Sequence, residues 1–156
     1  MRPAAVLLAL IALAGCSSEE EKPDPLQSYN GRLIRDWLRA VETRDFQHAA
    51  DFFALGAVID QGRGPYRLKT RELAVGFNAL LPCHADLIGL RGGGRARRVV
   101  ATFRLRRGPG GDCTGLVTVR YTIENGKFTE WIQRPDSGPD SAPAQSASAP
   151  PGAYRA

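Results

Sequence analysis

His84 and Asp86 are the residues whose types and spacing most directly suggest chemistry. They stand two positions apart in a segment that is predicted to be a β-strand, so their side chains lie on the same face of that strand. A carboxylate beside an imidazole can orient the ring for proton transfer, which makes the pair a candidate His–Asp dyad. The same spacing also fits two polar side chains on a solvated strand face.

Beyond that pair, the sequence offers little catalytic or metal-binding chemistry. The chain contains two histidines, and its carboxylates form no compact cluster. It has no Ser-His-Asp arrangement, no phosphate-binding loop and no dinucleotide-binding fingerprint. We therefore expect neither a metal ion nor a cofactor.

Hydrophobic periodicity predicts that three helices position the strand residues. Apolar residues recur at three- and four-residue intervals over 33–41, 46–53 and 73–81. Asp45 and Thr70 are suitable N-caps for the second and third helices. Gly56 is expected to end the second helix, and Pro82 to stop the third. The predicted buried face of the third helix contains Leu73, Ala74, Phe77, Leu80 and Leu81.

Strands account for the rest of the domain. The predicted strands are 57–60, 66–68, 83–90, 97–106, 116–124 and 127–134. Asn125-Gly126 favours a type I′ turn between the last two, because that turn needs positive φ at both central residues. Short turns indicate an antiparallel meander whose apolar face the helices must cover. Arg104, Arg106 and Arg120 alternate away from the apolar positions, on an exposed sheet face or in a patch for anionic surfaces.

The N-terminus resembles that of bacterial lipoproteins. Arg2 precedes an apolar run at 4–13 that is too short to span a bilayer. Leu13-Ala14-Gly15-Cys16 then resembles the lipobox, in which the cysteine is lipidated and becomes the new N-terminus. A plain N-terminal membrane anchor, or secretion after cleavage at another small residue, is the alternative.

This resemblance implies an extracytoplasmic protein that is anchored to the cell membrane by lipidated Cys16. The implied organisation is a signal peptide at 1–15, the lipidated cysteine and a flexible tether at 16–28, a domain at 29–134, and a disordered tail rich in Pro, Ala and Ser at 135–156. The domain contains 18 Lys and Arg against 10 Asp and Glu, a net charge of +8. That charge favours anionic lipids or wall polymers, while nucleic acid is not an expected partner of an exported protein.

The remaining cysteines are expected to form a disulfide. If Cys16 carries the lipid, Cys83 and Cys113 are left over in a compartment where disulfides persist. The alternative, a redox or metal-binding pair, lacks the Cys-x-x-Cys spacing that such sites commonly use.

Three segments make the domain similar to the nuclear-transport-factor-2-like superfamily, specifically its SnoaL-like group. They are a helix-break-helix at 37–46, an alanine-containing helix-to-strand segment at 52–59 and a closing hairpin at 125–131. The resemblance implies an α+β fold of order α-α-β-β-α-β-β-β-β. In that fold a curved antiparallel sheet wraps the N-terminal helix into a cone with an open mouth.

The superfamily includes isomerases, cyclases, ligand carriers and interaction domains, so the fold leaves the function open. We expect a non-enzymatic domain, monomeric or homodimeric, that binds a small apolar or amphipathic molecule or an envelope protein. Trp37 and Trp131 are candidates to line a pocket or to pack in the core. The alternative is an isomerase or polyketide-cyclase-like enzyme with Asp60 as base and Tyr66 as oxyanion donor, although Asp60 could simply cap a turn. A third hypothesis is an electrostatic binder of anionic envelope surfaces.

Overall fold

The structure, a computed structural model, describes residues 24–92 and 94–134. The helices are α1 (Tyr29–Glu42), α2 (Phe46–Asp51) and α3 (Arg71–Ala79), and the strands are β1 (Phe53–Asp60), β2 (Tyr66–Leu68), β3 (His84–Arg91), β4 (Arg98–Arg106), β5 (Leu116–Glu124) and β6 (Lys127–Arg134). This order confirms the predicted α+β class and the α-α-β-β-α-β-β-β-β arrangement. The expected signal peptide, Cys16, most of the tether and the tail at 135–156 lie outside the described residues.

The six strands form one sheet in the order β2-β1-β6-β5-β4-β3. The four long strands from β3 to β6 make the predicted antiparallel meander, and Asn125 and Gly126 have the positive φ values of 50° and 73° that their turn requires. One pair departs from the prediction, because β1 runs parallel to β6. The two strands are far apart in sequence, so a crossover can bring them side by side in the same direction.

Helix α1 packs into the concave face of the sheet. Its buried stripe includes Ile34, Trp37 and Val41, which recur at the spacing that the sequence predicted. Trp37 makes edge-to-face contacts with Tyr121 and Phe128, at ring-centroid distances of 6.3 and 5.9 Å. These contacts make an aromatic core that joins the helix to the two central strands.

Gly56 does not end the second helix. Helix α2 stops at Asp51, and β1 has already begun at Phe53, whose ring packs in the core 5.2 Å from that of Phe128. Gly56 lies within β1 at a φ of +81°, where the pairing with β6 shifts register. Its positive φ therefore serves a bulge in the strand rather than a helix terminus.

The buried face of α3 also differs from the prediction. Ala74, Phe77 and Asn78 are buried, whereas Leu73 is exposed and Leu80 is 82% exposed. Helix α3 is therefore turned about its axis relative to the prediction, with Asn78 facing inwards. The Oδ1 of Asn78 accepts a hydrogen bond there from the Trp37 indole N–H at 2.8 Å. Asn78, whose hydrogen bonds are satisfied, thus lies on the buried face of α3, while Leu73 and Leu80 lie outside that face.

Residues 24–28, which the sequence assigned to the tether, pack against the domain. A 3₁₀ turn, Pro25–Gln27, precedes α1, and Leu26 contacts the hydrophobic core. Arg32 donates from Nη1 to the Gln27 carbonyl at 2.6 Å, and Arg35 donates to the Leu26 carbonyl. The chain therefore enters the domain at a fixed point beside the first turn of α1.

Two helical glycines should respond oppositely to substitution by alanine. Gly76→Ala in α3 is expected to stabilise the domain by about 0.5–1 kcal/mol, because the added methyl group meets nothing within 4 Å and alanine favours helix. Gly31→Ala in α1 should destabilise it, because the new Cβ would lie 2.8 Å from the Leu26 carbonyl carbon. Unfolding in guanidinium chloride measures both. Equal stabilisation of the two variants would show that the 3₁₀ turn does not pack against α1.

Candidate functional site

A cavity of about 160 Å³ lies between the C-terminal half of α1 and the concave face of the sheet. Its walls are predominantly apolar and aromatic, and they include Trp37, Val41, Phe103, Leu105, Val119 and Trp131. Both tryptophans are almost fully buried as well. Each tryptophan therefore both lines the cavity and packs in the core.

The mouth of the cavity is polar, and the topology explains why. The end of α1, the start of β3 and the end of β4 meet at one edge of the domain, because β3 and β4 pair in antiparallel with His84 opposite Arg106. The end of β6 reaches the same edge. Glu42, Gln61, His84 and Gln133 consequently rim an otherwise apolar cavity. Such a combination of apolar walls and a few polar groups is typical of small-molecule sites.

Cys83 and Cys113 form a disulfide at this mouth, as the sequence predicted, with their Cα atoms 5.8 Å apart. The bond attaches the β4–β5 loop to the start of β3. The loop also donates from Gly110 N to the Pro82 carbonyl at 2.8 Å. A Cβ at Gly110 would lie 2.6 Å from the Pro82 side chain, so only glycine allows this approach. A disulfide of this kind favours an oxidising compartment.

His84 does not pair with Asp86. Nδ1 of His84 lies 3.7 Å from Glu42 Oε1, at the end of α1. Asp86 instead accepts a hydrogen bond from Nε of Arg106 at 2.8 Å, and Nη2 of Arg106 donates to the same Glu42 oxygen at 2.9 Å. The candidate dyad is therefore absent, and the two residues belong to a four-residue cluster in which Arg106 joins both carboxylates.

Glu42 is the member of this cluster that the sequence reasoning missed. It follows Leu38 by four residues and so continues the apolar stripe of α1 to the helix end. A carboxylate at the end of an apolar stripe is the signal that could have identified it. The hydrogen bonds that Arg106 donates, to Asp86 first and to Glu42 second, raise the pKa of its guanidinium, which therefore stays charged.

Asp60 and Tyr66 cannot act as a catalytic pair. Asp60 lies on the sheet face opposite to the buried Ile59, and its Oδ1 caps the following turn by accepting from Gly62 N at 2.8 Å. Tyr66 is the register partner of Ile59, so it belongs to the other face, at the sheet edge, where it is 44% exposed. The alternation of a β-strand separates them, and neither residue lines the cavity.

The three arginines considered for an exposed sheet face or an anion-binding patch have different environments. Arg104 is exposed, whereas Arg106 is engaged by the two carboxylates at the mouth. Arg120 is half-buried, and its Nε has no hydrogen-bond partner among the residues described. Of the three arginines, only Arg104 is thus on a freely exposed face.

Tyr121 and Trp131 place polar atoms inside the core. They are register partners on β5 and β6. Neither the Tyr121 hydroxyl nor the Trp131 indole N–H has a hydrogen-bond partner in the described part of the chain. Burial raises the pKa of the Tyr121 phenol well above its usual value, and the nearby indole N–H of Trp131 opposes this only in part. The phenol is therefore neutral at physiological pH.

The described residues form neither a metal-binding cluster nor a helix that could span a membrane. Within 24–92 and 94–134, no group of three or more His, Cys, Asp and Glu side chains is placed to hold a metal ion. The helices of the same ranges include none that is long and apolar enough to cross a membrane.

The fold is similar to several solved structures. These include a nuclear-transport-factor-2-like protein of unknown function from Cytophaga hutchinsonii (14% identity, TM-score 0.56, covering 69% of this chain and 90% of that one). A proposed polyketide cyclase from Sinorhizobium meliloti has 16% identity and a TM-score of 0.52, with 66% and 94% of the two chains covered. Another, from Xanthomonas campestris, has 14% identity and a TM-score of 0.53, covering 66% and 87%. No protein-family model and no curated protein sequence matches the chain. At these identities the similarity shows the nuclear-transport-factor-2-like fold.

Proposed function

We propose that this protein is a membrane-anchored, extracytoplasmic lipoprotein whose cone-shaped domain binds a small apolar or amphipathic molecule without transforming it. The observation that supports the binding role is the apolar cavity enclosed by α1 and the concave face of the sheet. An open polar mouth above apolar walls suits a ligand with a polar end directed towards solvent.

The size of the cavity limits the buried part of that ligand. Dry apolar cavities of about 150 Å³ hold a benzene-sized molecule. The cavity described here, at about 160 Å³, can therefore enclose one aromatic ring or an equivalent aliphatic group. A larger ligand would place the rest of its structure at the mouth.

The mouth supports binding better than catalysis. Asp86 is held by Arg106, and Glu42 contacts both Arg106 and His84. Among the described residues that line the cavity, the one carboxylate is that of Glu42, which lies at the rim and already accepts a hydrogen bond from Arg106. An isomerase or cyclase-like activity would now depend on His84, which borders the cavity, rather than on Asp60 and Tyr66.

Native mass spectrometry of the intact protein, released from detergent micelles after isolation from oxidising expression, tests the binding role. We expect a discrete additional mass that corresponds to a compact apolar compound. Ala85→Phe should remove it, because Ala85 lines the cavity and the added ring would occupy it. Ala79→Phe, at an exposed position of α3, is the matched control and should retain it. Ligand retained equally by both variants would locate the binding elsewhere.

The proposed anchor has its own test, which uses the protein extracted from membranes. Its N-terminus should be residue 16, with a mass that exceeds the polypeptide by a diacylglyceryl group and an acyl chain. Cys16→Ser should abolish both cleavage after residue 15 and the lipid mass. A variant that replaces Cys83 and Cys113 should retain them. Processing that is unchanged in Cys16→Ser would exclude the lipoprotein assignment.

A further inference from the structure

The charge at the cavity mouth is opposite in sign to that of the domain. The cluster at the mouth contains two carboxylates, Glu42 and Asp86, and one guanidinium, Arg106, whose formal charges sum to −1. The domain as a whole carries +8. Of the cavity-lining residues within the described ranges, Glu42 is the one carboxylate.

The helix that ends at the mouth adds to this negative potential. Helix α1 has 14 residues, and Glu42 is its last. The C-terminus of a helix carries a partial charge of about −0.5 from its aligned peptide dipoles. A ligand head group at this position therefore meets a carboxylate and the negative end of a helix together.

The one cation in the cluster is already occupied. Arg106 donates from Nε to Asp86 and from Nη2 to Glu42. An anionic head group would have to displace one of these carboxylates from Arg106 to gain a charged partner. A cationic or hydroxyl head group needs no such exchange, because it donates directly to Glu42.

The walls favour an aromatic body for the same ligand. Trp37, Phe103 and Trp131 contribute to the cavity, and aromatic rings pack well against one another in edge-to-face or offset arrangements. Tryptophan also attracts a cation that lies over its face.

We infer that the cavity selects compact aromatic amines over aromatic carboxylates, with Glu42 as the residue that determines this preference. The inference rests on the proposed function, since it assigns a ligand class to the same cavity. Benzylamine, benzyl alcohol and benzoate are suitable probes because they share one ring and differ in the head group.

The experiment is a ligand-observed NMR titration of the intact protein in detergent micelles, with Ala85→Phe as the background for partition into the micelle. Benzylamine should bind about tenfold more tightly than benzoate, with benzyl alcohol between them. Glu42→Gln should reduce that ratio to about twofold and weaken benzyl alcohol less than benzylamine, because the glutamine Oε1 can still accept a hydrogen bond from the hydroxyl group. Glu124→Gln, which alters an exposed carboxylate of β5 that is paired with Arg97, is the matched control and should preserve the ratio.

The outcomes separate the two proposals. If all three probes bind above the Ala85→Phe background with equal affinity, or benzoate binds most tightly, the cavity function stands and the amine preference is overturned. If benzylamine is preferred but Glu42→Gln keeps that preference, Glu42 is not its source. If no probe binds above the background, the proposed function fails, and the ligand class fails with it.

Discussion

Replacing both Cys83 and Cys113 with serine is expected to lower the free energy of unfolding by about 3–4 kcal/mol. The disulfide closes a segment with a sequence separation of 30 residues, so its loss returns that conformational entropy to the unfolded chain. A domain of this size has a small core, and such a change is a large part of its total stability. Equilibrium unfolding in guanidinium chloride, with the exported wild-type protein as reference, measures the difference.

Reductant provides the matched control for this prediction. Treating the wild-type protein with a phosphine reductant should lower its midpoint to that of the double variant, and the double variant should not respond. Titration of the unfolded, unreduced wild-type protein should detect no thiol from Cys83 or Cys113. Two reactive thiols, or equal stability of the two proteins, would contradict a disulfide in the exported protein.

Phe128→Ala should destabilise the domain by about 3–5 kcal/mol, a large part of the stability of a typical small domain. Phe128 is fully buried. Its ring lies 4.9 Å from Tyr121, 5.2 Å from Phe53 and 5.9 Å from Trp37, measured between centroids. Truncation would leave a void among three rings that come from α1, β1 and β5, and these cannot all move inwards to fill it. Thermal and denaturant unfolding followed by circular dichroism measure the loss.

Two further variants are the controls for this prediction: one retains most of the side-chain volume, and the other removes an apolar side chain from the surface. Phe128→Leu retains most of the buried volume, so its cost should be clearly smaller. Leu80→Ala removes a large apolar side chain from a surface position and should change stability by no more than about 0.5 kcal/mol. A large loss from Leu80→Ala would restore the sequence-based assignment of Leu80 to the core and contradict the packing of α3.

Local chemistry explains which parts of the fold the sequence could predict. Asp45 and Thr70 cap α2 and α3 by accepting from His48 N and Leu73 N, and capping depends on residues within one turn. The turn at Asn125-Gly126 and the alternation in β4 and β5 are equally local. For this reason the element order was predictable, and with it the fold class.

The errors arise where the answer depends on contacts between distant segments. The choice of the buried face of α3 depends on a hydrogen bond between Asn78 and Trp37, which are 41 residues apart in sequence. His84 contacts Glu42 rather than Asp86 because the end of α1 packs against the start of β3, which no local pattern encodes. Asp60 and Tyr66 were joined by proximity in sequence, but strand alternation separates them. The candidate site therefore needed the structure.

The chain enters the domain at one end of α1, and the cavity mouth lies at the other end of this helix. Asn30, in the first turn of α1, donates from Nδ2 to the Ala96 carbonyl at 2.9 Å, which fixes this end of the helix beside the β3–β4 hairpin. Glu42, at the other end, is about 20 Å away along a 14-residue helix. In the proposed anchored state, the eight residues from Cys16 to the first described residue extend at most about 28 Å from the bilayer. The tether of the proposed anchored state therefore joins the domain at the end of α1 that lies away from the cavity mouth. Attachment at this end accordingly leaves the mouth clear of the tether, so that a ligand can enter the cavity while the protein stays anchored.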